Sequence, residues 1–245
     1  MQAIIPAAGM GKRLGDNAEN KPKCMIEISD LTLLERAAAS LKGAGVTRLI
    51  VIVGFQSDLL QAFVNEKIVD IDTIIIDNPL YATTNNIYTL YLARQEMVKE
   101  DTILLESDLI FDHDLLSSLV QSQAEDMAVV DLYDPNWMDG TVVLLQNNEK
   151  ISSFVPKSEI IPEKIVNYYK TVNIYKFSKG FSQKRFMPAL TSAVENGDVN
   201  SYYETVLGEI TKNYGPCLSA FKMNGRKWYE IDNEVDLAIA KSLFQ

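Results

Sequence analysis

The sequence predicts an α/β domain: a mixed, mainly parallel sheet flanked by helices, with a small antiparallel β elaboration in its C-terminal half. Three observations carry this expectation. In the first half, short apolar runs with little alternation recur between amphipathic stretches, the pattern of strands buried on both faces. After about residue 126, strand-like runs follow one another without helices between them. The chain has 245 residues, 47% hydrophobic and 23% charged. At that size roughly 70–75% of the unfolded surface can be buried, so no disulfide or metal staple is required.

Ala3–Pro6, Arg48–Gly54, Thr73–Asp77 and Thr102–Ser107 read as buried strands, each four to seven residues long and apolar throughout most of its length. Between them, Leu31–Lys42, Ser57–Val64, Asn86–Val98 and His113–Gln123 space their apolar residues at helical intervals, most clearly at Leu33, Leu34, Ala37, Ala38 and Leu41. Strand–helix alternation over short links implies parallel strands joined by right-handed crossovers. The second half opens with strand-like Met127–Leu132, Thr141–Leu145, Ile151–Val155 and Val172–Phe177, with Asn147-Asn148 as a hairpin turn. Helical patterns return at Phe181–Val194 and Tyr202–Asn213. A strand pair, Cys217–Met223 and Trp228–Ile231, then surrounds the turn Asn224-Gly225, and Glu234–Leu243 reads as a final helix. There is no internal repeat, low-complexity tract or linker, and the whole of 1–245 reads as one domain. Its ending on a helix is equally compatible with one unit excised from a longer fusion chain.

Charge narrows the function. With 23 basic and 33 acidic residues the net charge is −10, a field that repels nucleic acid and anionic membranes. Any anionic substrate must then meet a local cationic patch or a metal. No apolar run approaches the ~20 residues of a membrane span, and residues 1–8 lack the basic start of a signal peptide. Two cysteines, Cys24 and Cys217, suit a reducing cytoplasm. The single histidine, His113, excludes a His-rich zinc site and makes Ser-His-Asp or Cys-His chemistry improbable.

Local basicity appears directly after the first strand. Pro6-Ala7-Ala8-Gly9-Met10-Gly11-Lys12-Arg13-Leu14 is rich in small residues, which let backbone N–H groups approach an anion or a flat base. A tight strand–helix turn is the structural alternative. A dinucleotide fingerprint fails here, because Leu14 stands where its third glycine belongs. Lys12, Arg13, Lys21 and Lys23 instead place four positive charges beside Asp16 and Glu19, in an otherwise acidic chain.

This segment, together with Asn20-Lys21-Pro22-Lys23-Cys24-Met25-Ile26-Glu27-Ile28, resembles the nucleotidyltransferases that join a nucleoside triphosphate to a phosphorylated sugar or alcohol and release pyrophosphate. Their pattern is a small-residue loop, Gly-x-Arg-Leu, then Pro-Lys before an apolar strand. The likeness implies a single nucleotidyltransferase-type, Rossmann-like domain in the cytoplasm. About 1–126 would be its nucleotide-binding half and about 127–245 its acceptor-binding half with a metal-ligand segment. It implies catalytic contacts of Arg13 and Lys23 with the triphosphate, and Ala7, Ala8, Gly9, Met10, Gly11 and Lys12 lying against the nucleotide. Fixed cations in a dry cleft stabilise an attacked phosphate better than water does.

Two strand ends are acidic. Leu104-Leu105-Glu106-Ser107-Asp108 leaves a buried strand at its carboxyl end, where open parallel sheets bind ligands. Tyr229-Glu230-Ile231-Asp232 leaves another, just before the last helix. Helix capping is the structural alternative for Asp232, and Asp112 is a candidate cap for the helix near His113. In similar enzymes an aspartate at each of these places holds Mg²⁺, which implies Asp108 and Asp232 as ligands. A phosphate or phosphonate oxygen is already ionised, so no general base is required.

Tyr81-Ala82-Thr83-Thr84-Asn85-Asn86-Ile87-Tyr88-Thr89-Leu90 resembles a segment of bacterial phosphocholine and phosphonoalkyl cytidylyltransferases, where it corresponds to the base- and acceptor-binding loop. Thr84, Asn85 and Asn86 can read a pyrimidine edge, consistent with CTP, and each is also a good helix cap. For the acceptor, Trp137 with Tyr133, Tyr202, Tyr203, Glu204 and Trp228 could hold a quaternary ammonium, as in phosphocholine enzymes, or simply form core. The phosphonoalkyl enzymes share the Leu-Leu-Glu-Ser-Asp-Leu-Ile strand and the Glu-Ile-Asp-Asn-Glu segment. Glu106 departs from the phosphocholine form and favours a 2-aminoethylphosphonate-like acceptor. Its primary ammonium suits Asp131, Asp139 or Glu204, with Tyr229 and Glu230 on the same wall. Lys170 is a candidate for the phosphonate, and Lys157 a further cation in the region. The expected partners are CTP and a small phosphonate or phosphate ester serving cell-surface glycan or lipid modification, with a homodimer or a fused enzyme domain as assembly. Phosphocholine or sugar-1-phosphate transfer is the enzymatic alternative. A catalytically inactive regulatory subunit is the alternative of another class; Arg13, Lys23, Asp108 and Asp232 are all present, which argues against it.

Overall fold

A computed structural model of the chain describes residues 1–11 and 21–244. Thirteen strands lie among them: β1 (Gln2–Ala7), β2 (Glu27–Ile28), β3 (Leu31–Thr32), β4 (Arg48–Val53), β5 (Asp72–Asp77), β6 (Thr102–Leu105), β7 (Leu109–Phe111), β8 (Met127–Leu132), β9 (Val142–Leu145), β10 (Ile151–Val155), β11 (Tyr168–Phe177), β12 (Ser219–Lys222) and β13 (Trp228–Glu230). The helices are α1 (Leu33–Gly43), α2 (Ser57–Lys67), α3 (Asn86–Leu92), α4 (Arg94–Met97), α5 (Leu115–Gln121), α6 (Lys179–Phe181), α7 (Met187–Glu195), α8 (Tyr203–Tyr214) and α9 (Glu234–Leu243).

Nine strands form the main sheet, in the order β10-β9-β11-β6-β1-β4-β5, with β8 pairing to β11 and β12 to β8. β6, β1, β4 and β5 are parallel; the long β11 runs antiparallel to β6 and carries the second half. This is the mainly parallel sheet with an antiparallel extension that the chain's two rhythms predict.

The apolar runs fail to alternate because both faces of the sheet are covered. In β1, Ala3, Ile5 and Ala7 join one core with α1 and α5, while Ile4 joins another with α3, α7 and α8. β4 divides likewise: Leu49, Val51 and Val53 on one side, Ile50 and Ile52 on the other. Fully burying each Ile, Leu or Val among them contributes roughly 1.5–3 kcal/mol. A third, smaller core gathers Ile26, Ile28, Leu33, Ile110, Tyr229, Ile231 and Leu237 beneath α9.

Three local expectations change. The strands around Asn224-Gly225 are no hairpin. Both turn residues have positive φ, 52° and 83°, but β12 pairs in parallel with β8 while β13 pairs with β7 in a separate two-stranded sheet. Asp112 is not the cap of α5, which begins at Leu115; its Oδ2 accepts from the Lys227 N–H at 2.8 Å. The apolar strand expected directly after Pro22-Lys23 is preceded by a 3-10 turn, Lys23–Met25, before β2.

Candidate active site

A cavity of about 410 Å³ opens beyond the carboxyl ends of β1 and β6, within the range of small-ligand sites. Its first wall is the glycine loop: Pro6, Ala7, Ala8, Gly9 and Gly11 line it. Gly54, at the end of β4, lets this loop sit close. A Cβ there would stand 2.7 Å from Tyr81 Cβ, 2.8 Å from Ala8 Cβ and 2.9 Å from Ala8 O. The Phe55 N–H then donates to Ala8 O at 3.0 Å. Met10 does not line the cavity, and Lys12 and Arg13 lie outside the described residues.

Opposite, Thr84, Asn85 and Asn86 line the cavity at the start of α3. Asn85 is the N-cap, its side chain accepting from the Asn86 N–H at 2.8 Å. Thr84 Oγ1 donates back to Leu80 O, 2.8 Å. Asn86 turns inward: Nδ2 donates to Glu106 Oε1 at 3.3 Å and Oδ1 accepts from the Tyr203 N–H at 3.0 Å. It therefore ties α3, the end of β6 and the start of α8 together.

The acidic segments meet through a pairing too short to read in the sequence. β7 and β13 run antiparallel, and the Ile231 N–H donates to Asp108 O at 2.9 Å. Asp108 and Asp232 thereby face the same point, which Lys23 reaches from its 3-10 turn. Its Nζ lies 3.2 Å from Asp108 Oδ2 and 2.5 Å from Asp232 Oδ1. Pro22 precedes the turn and buried Cys24 anchors it; burial pushes the Cys24 thiol up to about 12. Burial alone would lower the Lys23 pKa, but the two carboxylates outweigh it and the ammonium is held above its ordinary value. Capping of α9 falls to Asn233, which accepts from the Val235 and Asp236 N–H groups, so Asp232 is turned toward the cavity.

The far wall is acidic. Glu106, Asp139, Glu204 and Glu230 line it, with Lys170 among them. Counting Asp108, Asp232 and Lys23, the described lining residues present six carboxylates and two lysines. Lys170 is almost fully buried, its Nζ 2.5 Å from Thr171 O and 3.7 Å from Glu230 Oε2. Burial pushes the Glu230 carboxyl up to about 7, opposed by Lys170 and reinforced by Asp108 and Asp232. Burial raises Glu106 and Glu204 as well; Asp108 and Glu204 add to the effect at Glu106. Among the described residues, Glu204 Oε2, like Asp108 Oδ1, is buried with no hydrogen-bond partner. An uncompensated buried carboxylate is costly. Such an oxygen is suited to a cation.

Asp131, Trp137 and Tyr229 are not brought to this wall. Trp137 stacks on Tyr229 at 4.8 Å and tilts against Trp228 at 5.1 Å, while Trp228 Nε1 donates to Asp131 Oδ2 at 2.8 Å. The group is a packed aromatic cluster. Conversely, the cavity includes Tyr81, Ser107, Gly140, Thr141 and Asn173, none of them singled out by the sequence. Asn173 left one trace, an amide inside an apolar, β-branched run where asparagine is disfavoured.

Known proteins share this architecture. The family of MobA-like NTP transferase domains matches residues 3–148. The CMP-5'-(3-aminopropyl)phosphonate synthase of Streptomyces rubellomurinus is 26% identical over 237 residues, covering 96% of this chain but 37% of that protein. The CTP:phosphoglutamine cytidylyltransferase of Campylobacter jejuni is 27% identical over 260 residues, covering 98% of each. The solved CTP:phosphocholine cytidylyltransferase of Streptococcus pneumoniae shares the fold, with a TM-score of 0.78, 19% identity and coverage of 100% of this chain and 99% of that one. The match from residue 3 to 148 takes in the glycine loop, Lys23, Asn86 and Asp108, more than half of the sequence. The chain belongs to the MobA-like NTP transferase domain family and is an enzyme of the transferase class.

Proposed function

We propose that the protein transfers CMP from CTP to a small phosphonate or phosphate ester carrying an amine, 2-aminoethylphosphonate-like, with release of pyrophosphate. One observation carries the reading. One cavity joins a backbone-lined glycine loop to an acidic wall holding one lysine, with Lys23 between Asp108 and Asp232 at the junction. The glycine loop would receive the triphosphate, and Arg13 and Lys23 its charge. Thr84, Asn85 and Asn86 would read the cytosine. The names of the two relatives above, an aminopropylphosphonate and a phosphoglutamine enzyme, support a small phosphorylated or phosphonylated acceptor that carries an amine.

A divalent metal is implied by the family, and the residues fit one. Asp108 and Asp232 offer hard carboxylate oxygens to one point, and among the described residues nothing donates to the buried Asp108 Oδ1. Two such carboxylates suit Mg²⁺, a cation that takes one or two carboxylates and completes its sphere with phosphate oxygens and water. When bound it would neutralise phosphate charge and offset the repulsion between an acidic cleft and its anionic substrates. Lys23 would follow negative charge onto the leaving pyrophosphate, which stabilises the transition state over the bound triphosphate.

At the acceptor end Lys170 would hold the phosphonate. Glu204 and Glu106 would take the ammonium, whose N–H donors can satisfy the open Glu204 oxygen. A quaternary ammonium has no such donor, and the Trp137–Tyr229–Trp228 cluster is packed upon itself; both points favour the primary amine over phosphocholine. Among the described residues no helix is long and apolar enough to cross a membrane. The test is pyrophosphate release over a grid of four nucleoside triphosphates against 2-aminoethylphosphonate, phosphocholine and sugar 1-phosphates. Turnover should be fastest with CTP and the aminophosphonate. Faster turnover with UTP or dTTP on every acceptor refutes the nucleotide assignment.

A further inference from the structure

Asn173 sits where the longest strand of the sheet meets the cavity, and it breaks the rules of a strand. Its φ is +59°, in the left-handed region, with the ladder between β11 and β8 interrupted there, between Thr171 and Tyr175. Asparagine tolerates this conformation better than most side chains, but glycine adopts it with no Cβ to clash. Backbone geometry alone therefore does not ask for a side chain at this position. What asparagine adds is an amide.

Both ends of that amide are used. Oδ1 lies 3.2 Å from the Thr171 hydroxyl, and Nδ2 donates to Glu230 Oε1 at 3.4 Å. The main chain contributes a third tie, since Asn173 O accepts from the Glu106 N–H at 3.1 Å. One residue thus connects the acidic end of β6 through its backbone and the acidic end of β13 through its side chain. Glu230 has three rotatable side-chain bonds, and its other oxygen has Lys170 only at 3.7 Å. The bond to Asn173 selects one carboxylate orientation.

We infer that Asn173 is a positioning residue, holding Glu230 against Lys170 and setting the spacing of the two acidic strand ends. The inference rests on the cytidylyltransferase reading for the meaning of that wall. Its geometry can be tested separately.

Asn173→Gly keeps the backbone and removes the amide; Asn173→Asp keeps the shape but sets an oxygen against Glu230. Both should fold, the glycine variant with a Tm at or above that of the natural protein. Cytidylyl transfer should fall roughly 10- to 100-fold in kcat, the cost of a misplaced group in a reacting site, with KM for CTP within twofold. In Glu230→Gln the same Asn173→Gly change should cost little more, because the partner it orients has already lost its charge. Full activity in Asn173→Gly, or additive losses in the double variant, overturns the inference. Crystals of Asn173→Gly decide the placement whether or not any acceptor is turned over: Glu230 should leave its position, and an unmoved Glu230 overturns it. Absence of transfer by the unmodified enzyme with every acceptor would instead refute the proposed function.

Discussion

Replacing Lys23 by alanine separates catalysis from anion binding. In the structure its ammonium lies 2.5 and 3.2 Å from two carboxylates, and all three side chains are 15–20% exposed, so solvent screens them weakly. At an effective dielectric of about 20, each contact is worth roughly 5–7 kcal/mol of Coulomb attraction, before desolvation offsets most of it. Removing the ammonium leaves Asp108 and Asp232 facing one another, a loss of roughly 3–5 kcal/mol for a broken buried pair. The chemical step should lose about 2–4 kcal/mol of transition-state stabilisation, which is a fall in kcat of roughly 30- to 900-fold. Arginine should not restore the rate, because a planar fork cannot replace a point charge between two carboxylates. The assay is steady-state pyrophosphate release by Lys23→Ala and Lys23→Arg, with CTP and acceptor varied in turn. The metal-free alanine variant, melted with and without Mg²⁺, should show the larger thermal shift, since a bound cation relieves the exposed repulsion. A variant whose only change is a higher KM for CTP would reduce Lys23 to a uniform binding contact and refute this reasoning.

Asp108→Ala and Asp232→Ala should each lower kcat by roughly 100-fold or more; near-natural rates in both, with folding intact, would remove the metal assignment. Glu204 has its pKa raised by burial above the ordinary 4.5, so the folded state binds its proton more readily than the unfolded chain. Its carboxyl therefore costs stability progressively as pH rises above that ordinary value. Glu204→Gln should raise the Tm more at pH 8 than at pH 5, about 2–4 °C for each kcal/mol relieved, and an equal change at both would contradict the burial argument. Gly54→Ala inserts a methyl 2.7–2.9 Å from Tyr81 Cβ and the Ala8 main and side chains. We expect an overpacking cost of roughly 1–3 kcal/mol with a raised KM for CTP, measured by thermal melts and kinetics; an unchanged KM would show that the loop does not depend on this contact.

The sequence by itself determined the layers. Period and burial are local properties, so the apolar runs of β1 and β4 announce strands covered on both faces, and the stripe from Leu33 to Leu41 announces α1. The small-residue loop, Lys23 and the two acidic strand ends were legible for a similar reason: each is a short contiguous motif whose chemistry survives without knowing its neighbours. Which residues share a wall is not local. Asp108 meets Asp232 because a three-residue strand, β7, pairs with another across more than a hundred residues, and neither is long enough to show a period. The same blindness put Asp131, Trp137 and Tyr229 on the acceptor side, where aromatic residues beside a carboxylate look alike in a cage and in a core. Packing decided between the two, by stacking Trp137 on Tyr229 and giving Asp131 to the Trp228 N–H. Asn173 is the clearest case of what tertiary structure adds. A left-handed residue inside a strand is stable only when long-range contacts over-determine it, and those contacts, with Glu106 and Glu230, join segments more than fifty residues apart.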